Sequence, residues 1–378
     1  MPGRLILYDT CNFRDYPVGG QVTSIKNFLK YVGDNFPNHT KDILLVGVST
    51  DKADIGKVIP ITVNCTTFNF IGVSIAAINQ SVVKKSLRLE YVKGLFKYRK
   101  VLHISKDDCN YIHTPEAFGV IRHCCKKATC FVFSHGTYFN MWRRVRFFRK
   151  MPVIRKAFQS YLIHIIKNCN GIFVLENDTK QDYSPYNQNV FHVGNSIICE
   201  DYFERNIDES LIKFIYAGRL AVVKNIGPII EAVKSYSRKV EFWILGAGEE
   251  YEKLKNIADE RIHFVGAVTS DQVKEYMRKT DVLIMNSTFE GIPMTILEAI
   301  SLGLPVITTD VGGIKEVLDY GKDSEVTDGT VVSIQKAMDK ILSNYGRYSL
   351  NAYKHSLQFD YHMVNQKIFI VINSQLKW

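Results

Sequence analysis

Apolar and polar positions along this chain alternate between two rhythms. Short apolar runs recur, and between them lie stretches where apolar residues return every three or four positions. In the first half the runs predict strands at Arg4–Asp9, Ile43–Ser49, Lys57–Val63, Val101–Ser105, Cys130–Ser134, Gly171–Leu175 and from Val190. In the second half they predict strands from Phe214, Glu241, Ile262, Asp281 and Val306. Helical spacing marks about Val22–Tyr31, Ile226–Tyr236, Met294–Leu302, Ser333–Leu342 and Tyr361–Val371. Strands that alternate with helices imply parallel sheets covered on both faces, an α/β fold.

Length and composition narrow this picture. At 378 residues, two domains are expected rather than one. The first would cover 1–196, and the acidic, irregular stretch Cys199–Ser210 would be the linker to the second. The apolar fraction of 46% is enough for full cores. No apolar run reaches the length of a membrane span, and the first residues enter a strand rather than a signal peptide. The eight cysteines include no C-x-x-C pair. A zinc site from His123, Cys124, Cys125 and Cys130 has the wrong spacing, so free thiols in a reducing cytosol are expected.

Charge is divided unevenly. Residues 1–196 carry 27 Lys+Arg against 13 Asp+Glu, and residues 197–378 carry 21 against 25. The halves are therefore +14 and −4, and their sum is the net +10. A basic first half implies an anionic partner. Its densest part is Asn140–Lys156, where Arg143, Arg144, Arg146, Arg149, Lys150, Arg155 and Lys156 alternate with Trp142, Phe147 and Phe148 and meet no acid. Such a segment is either a solvated face over core aromatics or an interfacial segment, with cations on anionic lipid and aromatics in the headgroup region. Nucleic acid would use the same residue types, but no nucleic-acid-binding signature accompanies them, and no such partner is expected.

The most informative stretch is Ser287–Gly303. A strand ends near Asn286, Gly291 permits a tight turn, Pro293 suits the first helical position, and Gly303-Leu304-Pro305 stops the helix. Glu290 lies in the turn, and Glu298 lies about one and a half turns into the helix. Either carboxylate could merely cap the helix. Alternatively, the free N–H groups at the helix start take a diphosphate while the two acids hold hydroxyls on either side of it, the layout of a sugar nucleotide. Elsewhere, Arg219 and Lys224 lie just past a strand end, where they could neutralise a diphosphate. Gly19-Gly20 and Gly246-Ala247-Gly248 also follow strands, as does His135 in Ser134-His135-Gly136. A polar group, Asp107, Asp108, His113 and Glu116, is read as acceptor-side.

Phe289-Glu290-Gly291-Ile292-Pro293 through Leu297-Glu298-Ala299 resembles the E-x7-E motif of retaining glycosyltransferases of the GT-B fold, glycosyltransferase family 4. Gly218-Arg219-Leu220 with Lys224, and Val311-Gly312-Gly313-Ile314-Lys315-Glu316, resemble the same family. The resemblance is tight over 213–316 and loose over 4–316. It fades at Gly321-Lys322-Asp323-Ser324-Glu325-Val326, where the family usually has an apolar segment.

The resemblance implies two doubly wound Rossmann-like domains facing across a cleft: an acceptor-side domain 1–196, a nucleotide-sugar domain 197–352, and a C-terminal helix in 353–378 packing back on the first. It implies that Glu290 and His135 contact the reacting sugar, and that Arg219 and Lys224 stabilise the leaving diphosphate. Gly19, Gly20, Gly246, Gly291, Ile292, Pro293 and Glu298 would line the donor site. The donor would be a nucleotide-diphosphate hexose or N-acetylhexosamine, UDP-linked, with no metal and no other cofactor. The acceptor would be a lipid-diphosphate-linked sugar of O-antigen or capsule assembly, met at the inner face of the cytoplasmic membrane through 141–156. A sugar-nucleotide epimerase and a non-catalytic membrane-binding scaffold are the alternatives.

Overall fold

A computed structural model describes residues 3–14, 20–76, 86–136, 152–376 and 378. The chain divides into two compact units, one of residues 1–196 with 361–378 and the other of residues 197–360.

The first unit is built on an eight-stranded sheet of order β3-β4-β2-β1-β5-β6-β7-β8. Its strands are β1 Leu5–Tyr8, β2 Ile43–Ser49, β3 Val58–Val63, β4 Thr66–Ile75, β5 Cys109–Ile112, β6 Thr129–Ser134, β7 Gly171–Val174 and β8 Val190–His192. Neighbours run parallel except β3 and β4, a hairpin. Its two turn residues, Asn64 and Cys65, both have positive φ, the conformation that matches strand twist in tight hairpins. The helices are α1 Gly20–Asn35, α2 Leu87–Lys97, α3 Arg99–Leu102, α4 Ala117–Cys124, α5 Pro152–Asn168 and α6 Asn177–Tyr183. Buried side chains of α2, α4 and α5 (Leu95, Phe118, Ile121, Leu162, Ile165) share one core with Ile112, Val132 and Ile172 of the sheet.

Two strand expectations fail here. Val101–Ser105 is no strand: Leu102 is buried while Val101 is 44% exposed, and the segment is the short helix α3 closed by His103 with left-handed backbone. The strand lies further on, at β5, where Cys109–Ile112 are all buried. β4 was not foreseen, although it supplies ten residues of sheet.

The second unit carries six parallel strands in the order β11-β10-β9-β12-β13-β14. They are β9 Ile212–Ala217, β10 Val240–Leu245, β11 Ile262–Gly266, β12 Val282–Ile284, β13 Val306–Thr309 and β14 Ser324–Thr327. Its helices are α7 Gly227–Lys234, α8 Tyr251–Ile257, α9 Ser270–Arg278, α10 Met294–Ser301, α11 Val331–Ser343 and α12 Tyr345–Ser356. Thr269 caps α9, in a reciprocal capping box with Gln272. β14 is the polar stretch around Ser324; as an edge strand it has only β13 to pair with. The unit runs on to Asp360 rather than ending at 352, because Ala352 of α12 and Phe359 are buried in one core with Ile300 of α10. The supposed linker is anchored too: the buried Arg205 guanidinium donates to the carbonyls of Leu302, Thr280 and Met277 at 2.7–2.8 Å.

The last helix, α13 Tyr361–Leu376, belongs to the first unit. Tyr361 donates to Asp34 of α1 at 2.7 Å, and Phe369 stacks on Phe36 with centroids 4.2 Å apart.

Candidate functional site

In open α/β sheets, ligands bind at the carboxyl ends of strands where the strand order reverses. In the second unit that point lies between β9 and β12. The loop after β9 holds Gly218, Arg219 and a 3-10 turn, Val222–Lys224; the loop after β12 holds Asn286 to Gly291. Hydrogen bonds staple the two loops together. The Thr288 N–H and hydroxyl donate to the Val223 carbonyl at 2.8 and 3.2 Å, and the Asn286 amide donates to the Asn225 carbonyl at 3.1 Å. This brings Lys224 onto Glu290: the ammonium donates to Oε1 of the carboxylate, and both side chains are largely buried. The Ser287 hydroxyl donates to the same Oε1 at 2.7 Å.

Arg219 is exposed beside this pair, and its guanidinium makes no hydrogen bond or ion pair among the described residues. Its carbonyl accepts from the Tyr216 hydroxyl at 2.9 Å, which fixes the turn that presents it. Burial, then the nearby Glu290 carboxylate, pushes the Tyr216 phenol up, so it stays neutral. The floor is backbone. Gly246 has φ +139° and approaches so closely that a Cβ there would lie 1.9 Å from the Gly218 carbonyl oxygen. A Cβ at Gly312 would lie 2.0 Å from the Glu290 carbonyl oxygen.

α10 starts immediately after this loop. Pro293 is its N-cap, extended, rather than its first helical residue, and no side chain caps the helix. The first N–H groups of α10 are therefore left to an outside acceptor, and the helix dipole favours an anion there. Glu298, in the second turn, faces a different neighbour: the Ser270 hydroxyl of α9 is 3.5 Å from its Oε1. Burial pushes its carboxyl up, with Lys274 and Ser270 opposing. Glu290 and Glu298 thus belong to separate surroundings, one beside the β9 loop and the other beside α9.

The first unit has its own reversal point, between β1 and β5. Asp9, just past β1, is 2% exposed. The Gln21 amide of α1 donates to it, and burial raises its carboxyl to about 6, against the hydrogen bonds of Cys11 and Gln21. His113 follows β5 and His135 follows β6; Nδ1 of His113 lies 2.8 Å from Nε2 of His135. Gly20 begins α1, whereas Gly19 lies outside the described residues, as do 141–151 of the basic aromatic stretch. Arg155 falls at the end of the first turn of α5 and Lys156 at the start of the second. Asp107, Asp108, His113 and Glu116 do not act as one group. Asp108 binds Arg4, with Nη2 at 2.9 Å; Glu116 binds Arg88 at 2.8 Å; and His113 goes to His135. Asp9 was missed as a candidate, though its place at the carboxyl end of the first strand was a usable signal. Ser287 had no signal beyond its nearness to Glu290.

Residues 212–344 match the family described as Glycosyl transferases group 1. The chain is 31% identical over 150 residues to the O-antigen biosynthesis glycosyltransferase WbnH of Escherichia coli, covering 39% of this chain and 42% of that protein. It is 30% identical over 180 residues to the N-acetyl-alpha-D-glucosaminyl L-malate synthase of Bacillus anthracis, covering 43% of this chain and 46% of that protein. The matched region thus spans less than half the length of these curated relatives. Among solved structures, a sucrose-phosphate synthase from Thermosynechococcus elongatus superposes with a TM-score of 0.77 at 14% identity, over 99% of both chains. Anabaena HepE in complex with UDP and glucose superposes with a TM-score of 0.68 at 14% identity, over 99% of this chain and 100% of that one. These structural likenesses carry the fold alone.

Proposed function

We propose, from the premise that residues 212–344 form a Glycosyl transferases group 1 domain on a GT-B fold, that this chain is a retaining glycosyltransferase of polysaccharide assembly. It would move a hexose or N-acetylhexosamine from a nucleotide-diphosphate donor to a lipid-diphosphate-linked sugar. One observation carries the reading: an uncapped helix start, the Lys224–Glu290 pair and an exposed Arg219 meet at the reversal point of one parallel sheet. Cations and helix N–H groups placed in advance stabilise a leaving diphosphate as its charge develops. No metal is needed for that task when Arg219 and Lys224 supply the charge. Glu290, held by Ser287 and Lys224, would take hydroxyls of the reacting sugar, and Glu298 would take those of the ribose. No carboxylate is assigned as a nucleophile; attack from the face the diphosphate leaves keeps the configuration. UDP is the proposed carrier, supported by the UDP complex of HepE.

The acceptor and its membrane are supported by charge. No helix among the described residues is long and apolar enough to cross a bilayer. However, α2, α4 and α5 cover one face of the first sheet, and that layer is basic. Residues 87–102 carry Arg88, Lys93, Lys97, Arg99 and Lys100 against Glu90 alone, and α5 carries Arg155, Lys156 and Lys167 with no acid. Leu89 (63% exposed), Val101 (44%) and Val153 (80%) stand among them. Cations with exposed apolar residues suit the headgroup region of an anionic bilayer at the inner face of a cytoplasmic membrane. The deciding experiment offers a panel of radiolabelled nucleotide sugars with a synthetic lipid-diphosphate sugar. Transfer with retained configuration supports the proposal. Epimerised donor, or no turnover of any donor, overturns it.

A further inference from the structure

The geometry points to a positioning role for His113: it holds His135 in the tautomer with the proton on Nδ1, so that His135 acts as a hydrogen-bond donor and not as a base. β5 and β6 run side by side with Ile112 opposite Val132, so His113 comes level with Phe133 and His135 stands one pleat further on. The His113 ring stacks on Phe133, with centroids 5.1 Å and planes 13° apart, and meets the Tyr111 ring edge-on at 4.5 Å. These contacts fix its orientation, and Nδ1 is left 2.8 Å from Nε2 of His135. Burial drives the His135 ring down to about 3 and the His113 ring well below the ordinary value, with His135 adding to the latter, so both are neutral near pH 7. Between two neutral rings, one N–H donates and one bare nitrogen accepts.

The far side of His113 decides which. Its Nε2 is buried and has no hydrogen-bond partner among the described residues. Suppose His135 donated from Nε2. His113 would then accept at Nδ1 and keep its own proton on Nε2, where a buried N–H would lack an acceptor. With the proton on Nδ1 of His113, Nε2 is only a bare lone pair, the less costly orphan. His135 then accepts at Nε2, and its own proton sits on Nδ1. The penalty for an unmet buried donor corresponds to a tautomer ratio on the order of ten to one. The nitrogen that His135 keeps for a ligand is thus an N–H, which suits a hydroxyl or phosphate oxygen. Only the identity of that ligand, a sugar hydroxyl, rests on the proposed function.

The test is a long-range proton–nitrogen correlation spectrum of 15N-histidine-labelled protein at neutral pH. Loss of one ring each in His113→Asn and His135→Asn assigns the signals. Both rings should show protonated Nδ1 and bare Nε2. A His135 protonated on Nε2, an even mixture, or a charged ring overturns the proposal. In His113→Phe, which keeps a stacked ring but removes the donor, the His135 Nε2 has no N–H to accept from, so the Nδ1 form should lose its lead and both tautomers should appear. His113→Asn retains an N–H near Nδ1 and should hold it on Nδ1. If His135 is unchanged in His113→Phe, His113 is not the cause. With an active donor, kcat should fall in His113→Phe in step with the lost Nδ1 population, recover in His113→Asn, and leave nucleotide KM unchanged. If no donor is turned over, the function reading fails while the spectrum still decides the tautomer.

Discussion

Lys224 and Glu290 form a largely buried ion pair across the reversal point of the second sheet, although 66 positions separate them in the chain. On the proposed function, the cation assigned to phosphate and the carboxylate assigned to sugar already hold each other, and a donor would add to this pair rather than assemble it. Lys224→Ala should cost transfer about 2–4 kcal/mol of transition-state stabilisation, the scale for one preorganised donor. Steady-state kinetics on a folded variant checks this, and near-normal turnover would remove Lys224 from the site.

Glu290 and Glu298 lie in separate surroundings, so their neutral variants should fail differently. Glu290→Gln should lower kcat about a hundredfold while sparing nucleoside-diphosphate affinity. Glu298→Gln should weaken that affinity more than it lowers kcat. Calorimetric titration with nucleoside diphosphate beside kinetics separates the two, and the reverse order would turn the donor around.

Asp9 gives the first unit a pH dependence. Its folded carboxyl titrates at about 6 against an ordinary 3.8, raised by burial. The folded state therefore binds the proton more tightly than the unfolded state, and stability is lost as pH rises from about 4 to about 6. The full loss is on the order of 3 kcal/mol at 1.36 kcal/mol per unit. Asp9→Asn should flatten the stability profile over that window, as read by urea unfolding at pH 4, 5, 6 and 7.

The motif stretch was legible because its chemistry is local: a strand end, a glycine turn with one acid and a helix with the other fit within Asp281–Gly303. The alternation of parallel strands and helices was legible for the same reason. Pairings made by the sheets were not. Nothing near Lys224 in sequence announces Glu290, and nothing near His113 announces His135. Placing a strand at Val101–Ser105 also hid the fact that His113 ends one, because an apolar run of that length suits a short helix equally well. β14 was illegible because an edge strand can be as polar as Ser324–Thr327.

The basic layer of the first unit predicts a lipid and salt dependence. Binding to vesicles should rise with anionic lipid content and fall as salt shortens the screening length below about 8 Å. Replacing Lys93, Lys97 and Lys100 by Gln should weaken that binding about a hundredfold, at roughly 1 kcal/mol per cation. Replacing Arg143, Arg144, Arg146 and Arg149 by Gln should act in the same direction. Both variants should keep transfer to a short-chain, water-soluble acceptor. Co-sedimentation with both variants unchanged would leave the layer an ordinary solvated face.

Arg205 is the anchor of the segment leading into the second unit. It is 7% exposed and donates to three backbone carbonyls. Arg205→Met keeps most of the volume but leaves those carbonyls unmet, at a cost on the order of 3 kcal/mol. Calorimetry should show a lower Tm for the second unit, while first-unit signals such as the His113–His135 resonances stay in place.

The return of α13 to the first unit has a consequence for how the protein is made. The second unit is an uninterrupted segment, and Ile197 and Asp360 at its two ends lie side by side in a β-bridge. The first unit is interrupted, and its closing helix follows all 164 residues of 197–360. On the ribosome, where domains fold as units, the earlier-made unit must wait with the α1 face that Phe369 and Tyr361 will cover still open. The later-made unit can finish first. The order of synthesis and the order of completion are therefore reversed, and for that interval the nascent chain presents an apolar surface that a chaperone could hold.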